Sequence, residues 1–332
     1  AARAMGFATI VLDPDPHAPA GLIADEHLVA AYDDPAALHR LGAQCAVVTT
    51  EFENPPAAAL TRLAAATAVA PPPTAVAVAQ DRIAEKSFLV AQGLPVGPYG
   101  VLASVTDVLY AAADPSVVFP ARLKTARLGY DGKGQAVIGA AGELRAAFDA
   151  MGAVPCVLER ALDLVTEVSV VAARSTDGSF AAWPVTENTH VAGILDVSVT
   201  PAAVPGELAE QATAVTRSVA EALGYFGVLA VEFFVVAGEG TDAAPRLLVN
   251  EIAPRPHNSG HWTLDGSATS QFEQQVRAIC GLPLGPPDPT AGGAAMANLL
   301  GDAWSGGEPN WARALAVPGV RLHLYGKREP RA

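Results

Sequence analysis

The sequence contains little cysteine, few aromatic residues and a deficit of basic residues. Its three cysteines, Cys45, Cys156 and Cys280, are far apart and form no C-x-x-C pair, which is typical of reduced, buried thiols. The 21 lysines and arginines face 34 aspartates and glutamates, so the formal net charge is −13. This balance argues against a protein that binds nucleic acid or an anionic membrane through clustered positive charge. It does not exclude a small anionic ligand, because a few local basic residues can form a site for one.

Long hydrophobic runs are also absent. No stretch approaches the ~20 apolar residues of a membrane span, and the residues before the first predicted strand do not have the pattern of a signal peptide. We therefore expect a soluble, cytoplasmic protein with neither a membrane nor a nucleic acid as partner. The 332 residues, 51% of them hydrophobic, are enough for about two globular domains.

The first 75 residues alternate short β-like and helix-like segments. Strands are predicted at 8–13, 27–32 and 45–53, and helices at 35–43 and 56–67. This alternation predicts a parallel sheet in a doubly wound α/β domain. Ligands of such sheets bind at the carboxyl ends of the strands, which places Asp13, Glu51 and Glu53 at the candidate ligand edge.

The rest of the chain mixes strands and helices, which predicts an α+β domain. Residues 68–73, AVAPPP, are predicted to be a linker because consecutive prolines stop a helix. Residues 74–92 are predicted to form one amphipathic helix that ends at Gly93. Strand-rich segments up to about 176, a helix near 207–223 and two strands, VLAVEFFVV and RLLVNEIAP, follow. The tail is predicted to end in another strand, VRLHLYG.

The segment LKTARLGYDGKGQAVI, residues 123–138, carries the sharpest local signal. It places Gly129, Gly132 and Gly134 between two β-like runs, with Lys124 and Lys133 beside them. Glycines let backbone amides approach a polyphosphate closely, and the lysines supply the opposite charge. An ordinary hairpin with a DG turn is the alternative, but it needs only one glycine. The composition favours a phosphate-covering loop.

Four carboxylates in strand-like segments are candidate ligand groups. Glu159 and Glu167 lie near strand ends, which alone is a weak signal. Glu232 and Glu251 each lie within a hydrophobic strand, where charge is costly unless it is compensated. A magnesium ion, with Asn250 as a neutral oxygen donor, would compensate both. The alternative, that both glutamates point to solvent, is disfavoured by the cluster of donors that follows at 255–261.

Together, these features indicate phosphoryl transfer from ATP. The segments ENPP, QDRIAEK, LKTARLGYDGKGQ, TENTHVAGIL, VEFFV, NEIAPRPHNSGHWT and SQFEQQVRAICGLPLG occur in this order. Through them the chain resembles, over nearly its whole length, the 5-(carboxyamino)imidazole ribonucleotide synthetases. These are ATP-grasp enzymes of bacterial and fungal purine biosynthesis. NEIAPRPHNSGHWT with SQFE is highly specific, whereas GYDGKGQ is shared more widely among relatives.

The resemblance implies a fold of three parts and a reaction. The parts are an N-terminal α/β (pre-ATP-grasp) domain at 1–73, an ATP-grasp body at 74–284 with a lid at about 100–160, and a small C-terminal domain at 285–332. The reaction joins bicarbonate to the amine of 5-aminoimidazole ribonucleotide while ATP becomes ADP and phosphate. ATP and magnesium are the implied cofactors, and a homodimer is the implied assembly.

The resemblance also implies roles for individual residues. Nucleotide binding falls to Arg82, Lys124, Gly129, Tyr130, Asp131, Gly132, Lys133, Gly134, Gln135, Glu159, Arg160, Ala161, Leu162, Glu167, His190, Asn250 and Glu251, with the adenine at 159–162. Magnesium binding falls to Glu232, Glu251 and Asn250. Catalytic roles fall to Arg255, His257, Asn258, Lys327 and Tyr130, and substrate contacts to Glu51, Glu53, Tyr130, Arg255 and Lys327.

Two departures and two alternatives accompany the resemblance. The family's opening strand and glycine-rich turn do not precede Ala1, and the sequence stops at Ala332, where the family continues. One alternative function is another ATP-grasp ligase, such as the formate-dependent glycinamide ribonucleotide transformylase. The other is a non-catalytic ATP-binding module.

Overall fold

A computed structural model describes residues 1–129, 134–238 and 244–326. The first part alternates short strands and helices, as the sequence predicts. Its elements are β1 (Ile10–Leu12), α1 (Pro19–Ile23), β2 (Glu26–Leu28), α2 (Pro35–Gln44), β3 (Val47–Thr49), α3 (Ala57–Ala64) and β4 (Ala68–Ala70). The strands pair in parallel, β1 with β2 and β3 with β4. This confirms the α/β prediction, although the strands are shorter than expected.

The predicted linker at 68–73 is wrong, because its first three residues form β4. Val69 and Ala70 are buried and pair with Val48 and Thr49 of β3. The prolines begin only at Pro71, so they end the strand rather than prevent it.

The predicted single helix at 74–92 is also wrong. The structure has two helices, α4 (Pro73–Ala79) and α5 (Arg82–Ala91). The Asp81 carboxylate accepts hydrogen bonds from the amides of Ile83 and Ala84, which caps the start of α5. A second helix therefore begins after Asp81, and its residues Glu85, Lys86 and Leu89 are buried.

Residues 99–160 build a four-stranded antiparallel sheet with two helices against it. The elements are β5 (Tyr99–Leu102), α6 (Val105–Ala113), β6 (Ala121–Thr125), β7 (Gln135–Ile138), α7 (Leu144–Ala150) and β8 (Cys156–Arg160), in strand order β5-β8-β6-β7. Leu123, Val108 and Phe148 lie in its own hydrophobic core. The glycine-lysine loop joins β6 to β7, as predicted, whereas α6 and α7 fall in a region predicted only as strand-rich.

A seven-stranded sheet forms the centre of the molecule. Its elements are β9 (Leu164–Arg174), β10 (Phe180–Ala182), β11 (Thr186–Val191), β12 (Ile194–Thr200), β13 (Gly227–Val236), β14 (Arg246–Ala253) and β15 (Ala294–Ala297), in the order β14-β13-β9-β11-β12-β15, with β10 on β9. Helix α8 (Gly206–Ala222) packs on this sheet, where Val219 and Leu229 share a buried core. Both the helix near 207–223 and the two strands VLAVEFFVV and RLLVNEIAP are confirmed, and the two strands pair antiparallel.

The last described segment holds short helices and loops. They are α9 (Thr263–Gly266), α10 (Gln271–Ile279) and α11 (Trp311–Leu315). The predicted strand VRLHLYG is wrong, since residues 320–326 form no strand. The alternating apolar residues predicted a strand with a buried apolar face, but Leu324 and Tyr325 are about half exposed. Cys156 is buried as expected, whereas Cys45 and Cys280 are only partly buried. Among the described helices, none has the length and apolar character needed to cross a membrane.

Candidate functional site

One face of the seven-stranded sheet gathers several of the predicted carboxylates. Glu251 on β14 lies opposite Glu232 on β13, which lies opposite Ser169 on β9. Glu167 lies two residues before Ser169, and side chains alternate along a strand, so it belongs to the same face. The imidazole of His190 lies 3.0 Å from the Glu167 carboxylate. The structure therefore brings these predicted residues to one surface.

A β-bulge modifies this face at the predicted magnesium ligands. Glu232 pairs with Glu251, whereas Phe233 pairs with Val249, so Asn250 is an extra residue in β14. A bulge re-aims side chains that would otherwise alternate. The Asn250 Oδ1 atom is buried and has no hydrogen-bond partner in the described part of the chain. A buried oxygen without a partner is costly unless a ligand occupies that place.

Helix α5 meets β14 through three charged side chains on one helix face. Arg82 binds the Glu251 carboxylate at 3.0 Å, and its second amino group donates to the Gly129 carbonyl at 3.3 Å. Lys86 Nζ donates to the backbone carbonyl of Asn250 at 3.0 Å. The Glu85 carboxylate accepts from the backbone amide of Ile252. Positions 82, 85 and 86 have the spacing of one helix face, and here that face is buried.

These contacts shift the pKa values of Glu251 and Glu85 in opposite directions. Burial would raise the pKa of Glu251, but the Arg82 charge and hydrogen bond hold it well below its usual range. Burial, together with the nearby Glu251 charge, raises the pKa of Glu85 to about 8. Near neutral pH one carboxyl is therefore an anion beside arginine, and the other is largely protonated.

Glu159 lies between two buried lysines at the end of β8. Its carboxylate oxygens are 3.1 Å from Lys86 Nζ and 2.6 Å from Lys124 Nζ. Burial raises the pKa of Glu159, but the two ammonium charges outweigh it and lower the pKa. The cluster joins α5 to the four-stranded sheet.

A cleft opens beside this cluster, between the four-stranded and seven-stranded sheets. Its walls include the predicted adenine-binding residues Glu159, Arg160, Ala161 and Leu162, together with Lys86, Lys124, Leu164, Phe234 and Val249. A lining that combines apolar side chains with a few charged groups is usual for a small-molecule site.

The loop after β14 is held by a buried glutamine. Gln271 accepts from the His257 amide at 2.8 Å and donates to the His257 carbonyl at 2.7 Å. A side chain on Gly260 would meet the Gln271 carboxamide at 2.8 Å, so this turn needs glycine. His257 Nε2 lies 3.1 Å from Glu232. Asn258 begins the short turn after His257.

The N-terminal part also contributes to the site. Arg255 donates to one carboxylate oxygen of Glu53 from two nitrogens, at 3.1 and 2.6 Å. Burial and the Glu51 charge raise the pKa of Tyr325, which places Glu51 near the last described segment. Glu53 therefore lies beside Arg255, as predicted for a shared substrate site, whereas Glu51 is placed only near Tyr325.

Five predicted residues lie outside the described part of the chain: Tyr130, Asp131, Gly132, Lys133 and Lys327. Conversely, the sequence analysis missed Lys86, Glu85 and Gln271. Glu85 and Lys86 share one helix face with Arg82 and Leu89, but that spacing does not show which face of the helix is buried. Gln271 lies on another helix and has no comparable signal in the sequence.

The chain is similar to known proteins along its whole length. Three family models match it: Ribonucleotide synthetase preATP-grasp domain at residues 1–80, ATP-grasp domain at 87–272, and Phosphoribosylaminoimidazole carboxylase C-terminal domain at 294–332. A relative named N5-carboxyaminoimidazole ribonucleotide synthase, from Brucella melitensis, is 43% identical over 334 residues. The match covers 100% of this chain and 89% of that relative.

Solved structures agree. The ADP complex of an N5-carboxyaminoimidazole ribonucleotide synthetase has a TM-score of 0.91 at 38% identity, covering 100% of this chain and 85% of that one. An Aspergillus clavatus N5-carboxyaminoimidazole synthase in complex with ADP and 5-aminoimidazole ribonucleotide has a TM-score of 0.87 at 25% identity, covering 99% and 86%. On these grounds the chain belongs to the family of N5-carboxyaminoimidazole ribonucleotide synthases, which are ATP-grasp enzymes.

Proposed function

We propose that this protein carboxylates 5-aminoimidazole ribonucleotide with bicarbonate, at the cost of ATP, to give N5-carboxyaminoimidazole ribonucleotide, ADP and phosphate. The observation that carries the proposal is the arrangement around the cleft. Lys86, Lys124 and Glu159 line the cleft. Arg82, one helical turn before Lys86, binds Glu251 at 3.0 Å, and His257 lies 3.1 Å from Glu232. The names of the relatives favour this reaction over another ATP-grasp ligase or a non-catalytic module.

The chemistry explains why ATP is needed. Bicarbonate is a poor electrophile because hydroxide is a poor leaving group. Phosphorylation by the γ-phosphoryl group of ATP gives carboxyphosphate, whose leaving group is phosphate, and the amine of the ribonucleotide then captures the carboxyl group. The protein's part is positioning and charge neutralisation rather than covalent catalysis.

The cleft residues suit the nucleotide. Leu162, Phe234 and Val249 offer apolar surface for the adenine ring, which we propose binds at 159–162. Lys124 lines the cleft and Arg82 binds Glu251, and we propose both cations for the phosphates. Both cations contact carboxylates in this structure, so nucleotide binding would add phosphate oxygens beside cations that are already held in place.

The donors also fit magnesium. The bulge gathers two carboxylates and the unpartnered Asn250 oxygen, and magnesium prefers one or two protein carboxylates plus waters and phosphate oxygens. No three His, Cys, Asp or Glu side chains converge on a metal site in the described ranges, so phosphate oxygens would complete the shell. Glu232, Glu251 and Asn250 would hold the ion, which supplies charge neutralisation at the phosphates.

We propose that Arg255 and His257 act in the second step, in which the carboxyl group is transferred to the amine of the ribonucleotide. Arg255 can bind a carboxylate-like anion through its planar fork, and in this structure Glu53 occupies that fork. We propose that bicarbonate or the ribonucleotide takes the place of Glu53 during the reaction. The proposed roles of Asn258, Tyr130 and Lys327 extend this pocket.

The decisive experiment is ADP release with magnesium ATP, with bicarbonate or aminoimidazole ribonucleotide omitted in turn. Full release only when both are present supports the proposal. Release with formate and glycinamide ribonucleotide would instead indicate a different ligase, and tight ATP binding without any release would indicate a binding module. We further propose a homodimer in the cytoplasm, for which sedimentation of the purified protein tests the assembly.

A further inference from the structure

A chain of buried polar side chains leads away from His257 into the sheet. Ser198 Oγ donates to Asn188 Oδ1 at 2.8 Å, and Asn188 Nδ2 donates to Ser169 Oγ at 2.9 Å. Ser169 Oγ donates to Ser259 Oγ at 2.7 Å, and Ser259 Oγ lies 2.9 Å from His257 Nδ1. All five residues are at most 8% exposed. Water therefore does not compete for these hydrogen bonds.

The direction of this chain is fixed at its His257 end by a backbone group. The amide of Ser259 also points at His257 Nδ1, at 3.3 Å. A backbone N–H can only donate, so Nδ1 must accept. A reversed carboxamide at Asn188 would make Ser259 Oγ an acceptor toward Nδ1, and that nitrogen would then need a proton that faces the amide. The orientation with Asn188 Nδ2 toward Ser169 avoids this conflict.

Strand register explains why these residues meet. Asn188 on β11 pairs with Ser198 on β12, and Ser169 on β9 pairs with Glu232 on β13. Asn188 belongs to the TENTH segment, where alternation places it on the same side of β11 as His190. A polar residue is thus buried beneath the carboxylate face, at a position that a valine or threonine would fill in an ordinary sheet.

We propose that Asn188, Ser169 and Ser259 are positioning residues that hold His257 in the tautomer with its proton on Nε2. Because Nδ1 accepts two hydrogen bonds, the ring's own proton is on Nε2, which lies 3.1 Å from Glu232 Oε1. His257 then donates to Glu232 and orients that carboxylate. The consequence for turnover rests on the proposed function, whereas the tautomer itself does not.

The test reads the tautomer directly. Protein labelled with ¹⁵N-histidine is studied by NMR without metal at alkaline pH, where imidazoles are neutral, and a His257→Gln sample identifies the resonances. We expect a pyridine-type Nδ1 and a pyrrole-type Nε2 in the wild type. A pyrrole-type Nδ1 would overturn the proposal, whatever the variants do.

Asn188→Asp tests the direction of the chain. An aspartate cannot donate, so Ser169 would donate to residue 188, Ser259 would donate to Ser169, and Nδ1 would face a lone pair. We expect the Nδ1 resonance to move toward the pyrrole type, and Asn188→Ala to move it less in the same direction. Ser198→Ala is the matched control, because it removes a buried hydroxyl but leaves the Asn188 donor in place. The proposal is wrong if Asn188→Asp and Asn188→Ala both leave the His257 nitrogens unchanged.

Kinetics supply a second readout. A direct hydrogen-bond partner of a metal ligand, which His257 would be for Glu232, is typically worth about 10- to 100-fold in activity. Because Asn188 acts on His257 only through Ser169 and Ser259, we expect kcat of Asn188→Asp to fall by about 10-fold, the lower end of that range. The KM for ATP should change by less than about threefold, because Asn188 does not line the cleft. A lower kcat with an unchanged tautomer would count against the proposal. A wild type without ligase activity but with the expected tautomer would refute the proposed function alone.

Discussion

Replacing Glu159 by glutamine should destabilise the protein strongly. The side chain is nearly isosteric, but it removes the only anion within 4 Å that the described structure places beside Lys86 Nζ and Lys124 Nζ. The three side chains are 4–11% exposed, so water cannot replace the lost charge. Breaking a buried ion pair from one side costs about 3–5 kcal/mol, and we expect a loss in that range.

Urea unfolding at neutral pH measures this loss, with the midpoint compared at unchanged slope. The matched control is Asp149→Asn, which breaks the Arg145–Asp149 pair on α7, whose side chains are nearly half exposed. Surface pairs of this kind contribute less than about 1 kcal/mol. Adding Lys86→Met to Glu159→Gln should recover part of the loss, because one of the two uncompensated charges is removed.

The pH dependence gives an independent check. The folded-state pKa of Glu159 is lowered from its ordinary value of 4.5. Its contribution is therefore complete above that value and disappears as the pH falls through the folded pKa. The difference between wild type and Glu159→Gln should shrink in acid. A variant that loses no more stability than Asp149→Asn, or whose deficit is independent of pH, would refute the reasoning.

Three further predictions follow from the same contacts. Glu85→Gln should flatten the dependence of stability on pH: the folded-state pKa is about 8 against an ordinary 4.5, so wild-type stability falls as pH rises through that window. Unfolding curves measured across the window without metal would contradict this if the two proteins ran parallel. Gly260→Ala should cost about 1–3 kcal/mol by overpacking against Gln271, whereas Gly292→Ala, which has open space, should cost almost nothing in the same thermal melt. Glu251→Gln should abolish ADP release with an unchanged circular dichroism spectrum, and near-normal turnover would contradict its proposed role at magnesium.

The carboxylates Glu232 and Glu251 could be predicted from the sequence, but the buried residues that contact them and their neighbours could not. Glu232 and Glu251 could be identified because a charge inside a hydrophobic strand is costly wherever that strand lies. Lys86 could not be distinguished from a surface lysine, since the face of a helix that is buried depends on what packs there. Ser169 and Asn188 have no local signal, because their meeting requires the register of three strands.

The errors in the fold have local causes. Three prolines at 71–73 suggested a linker and hid the three residues of β4 that precede them. The helical cap at Asp81 was overlooked because apolar spacing continues across it. In the last described segment, alternation predicted a strand where no neighbouring strand offers pairing. The division at 73 and 284 stays a prediction.

The bulge at Asn250 adds to β14 a residue that the pairing with β13 does not require. Val249 and Glu251 already stand opposite Phe233 and Glu232, so the ladder would close without the residue between them. Deletion of Asn250 would therefore keep the side chains of β14 alternating between the core and the cleft on both sides of the deletion. The other seven residues of β14 therefore suffice for its pairing with β13, and the eighth, Asn250, carries the side-chain oxygen that we propose as a magnesium ligand. Deletion of Asn250 would remove the proposed magnesium ligand and the carbonyl that accepts from Lys86 Nζ at 3.0 Å, while the residues on both sides keep their partners in β13.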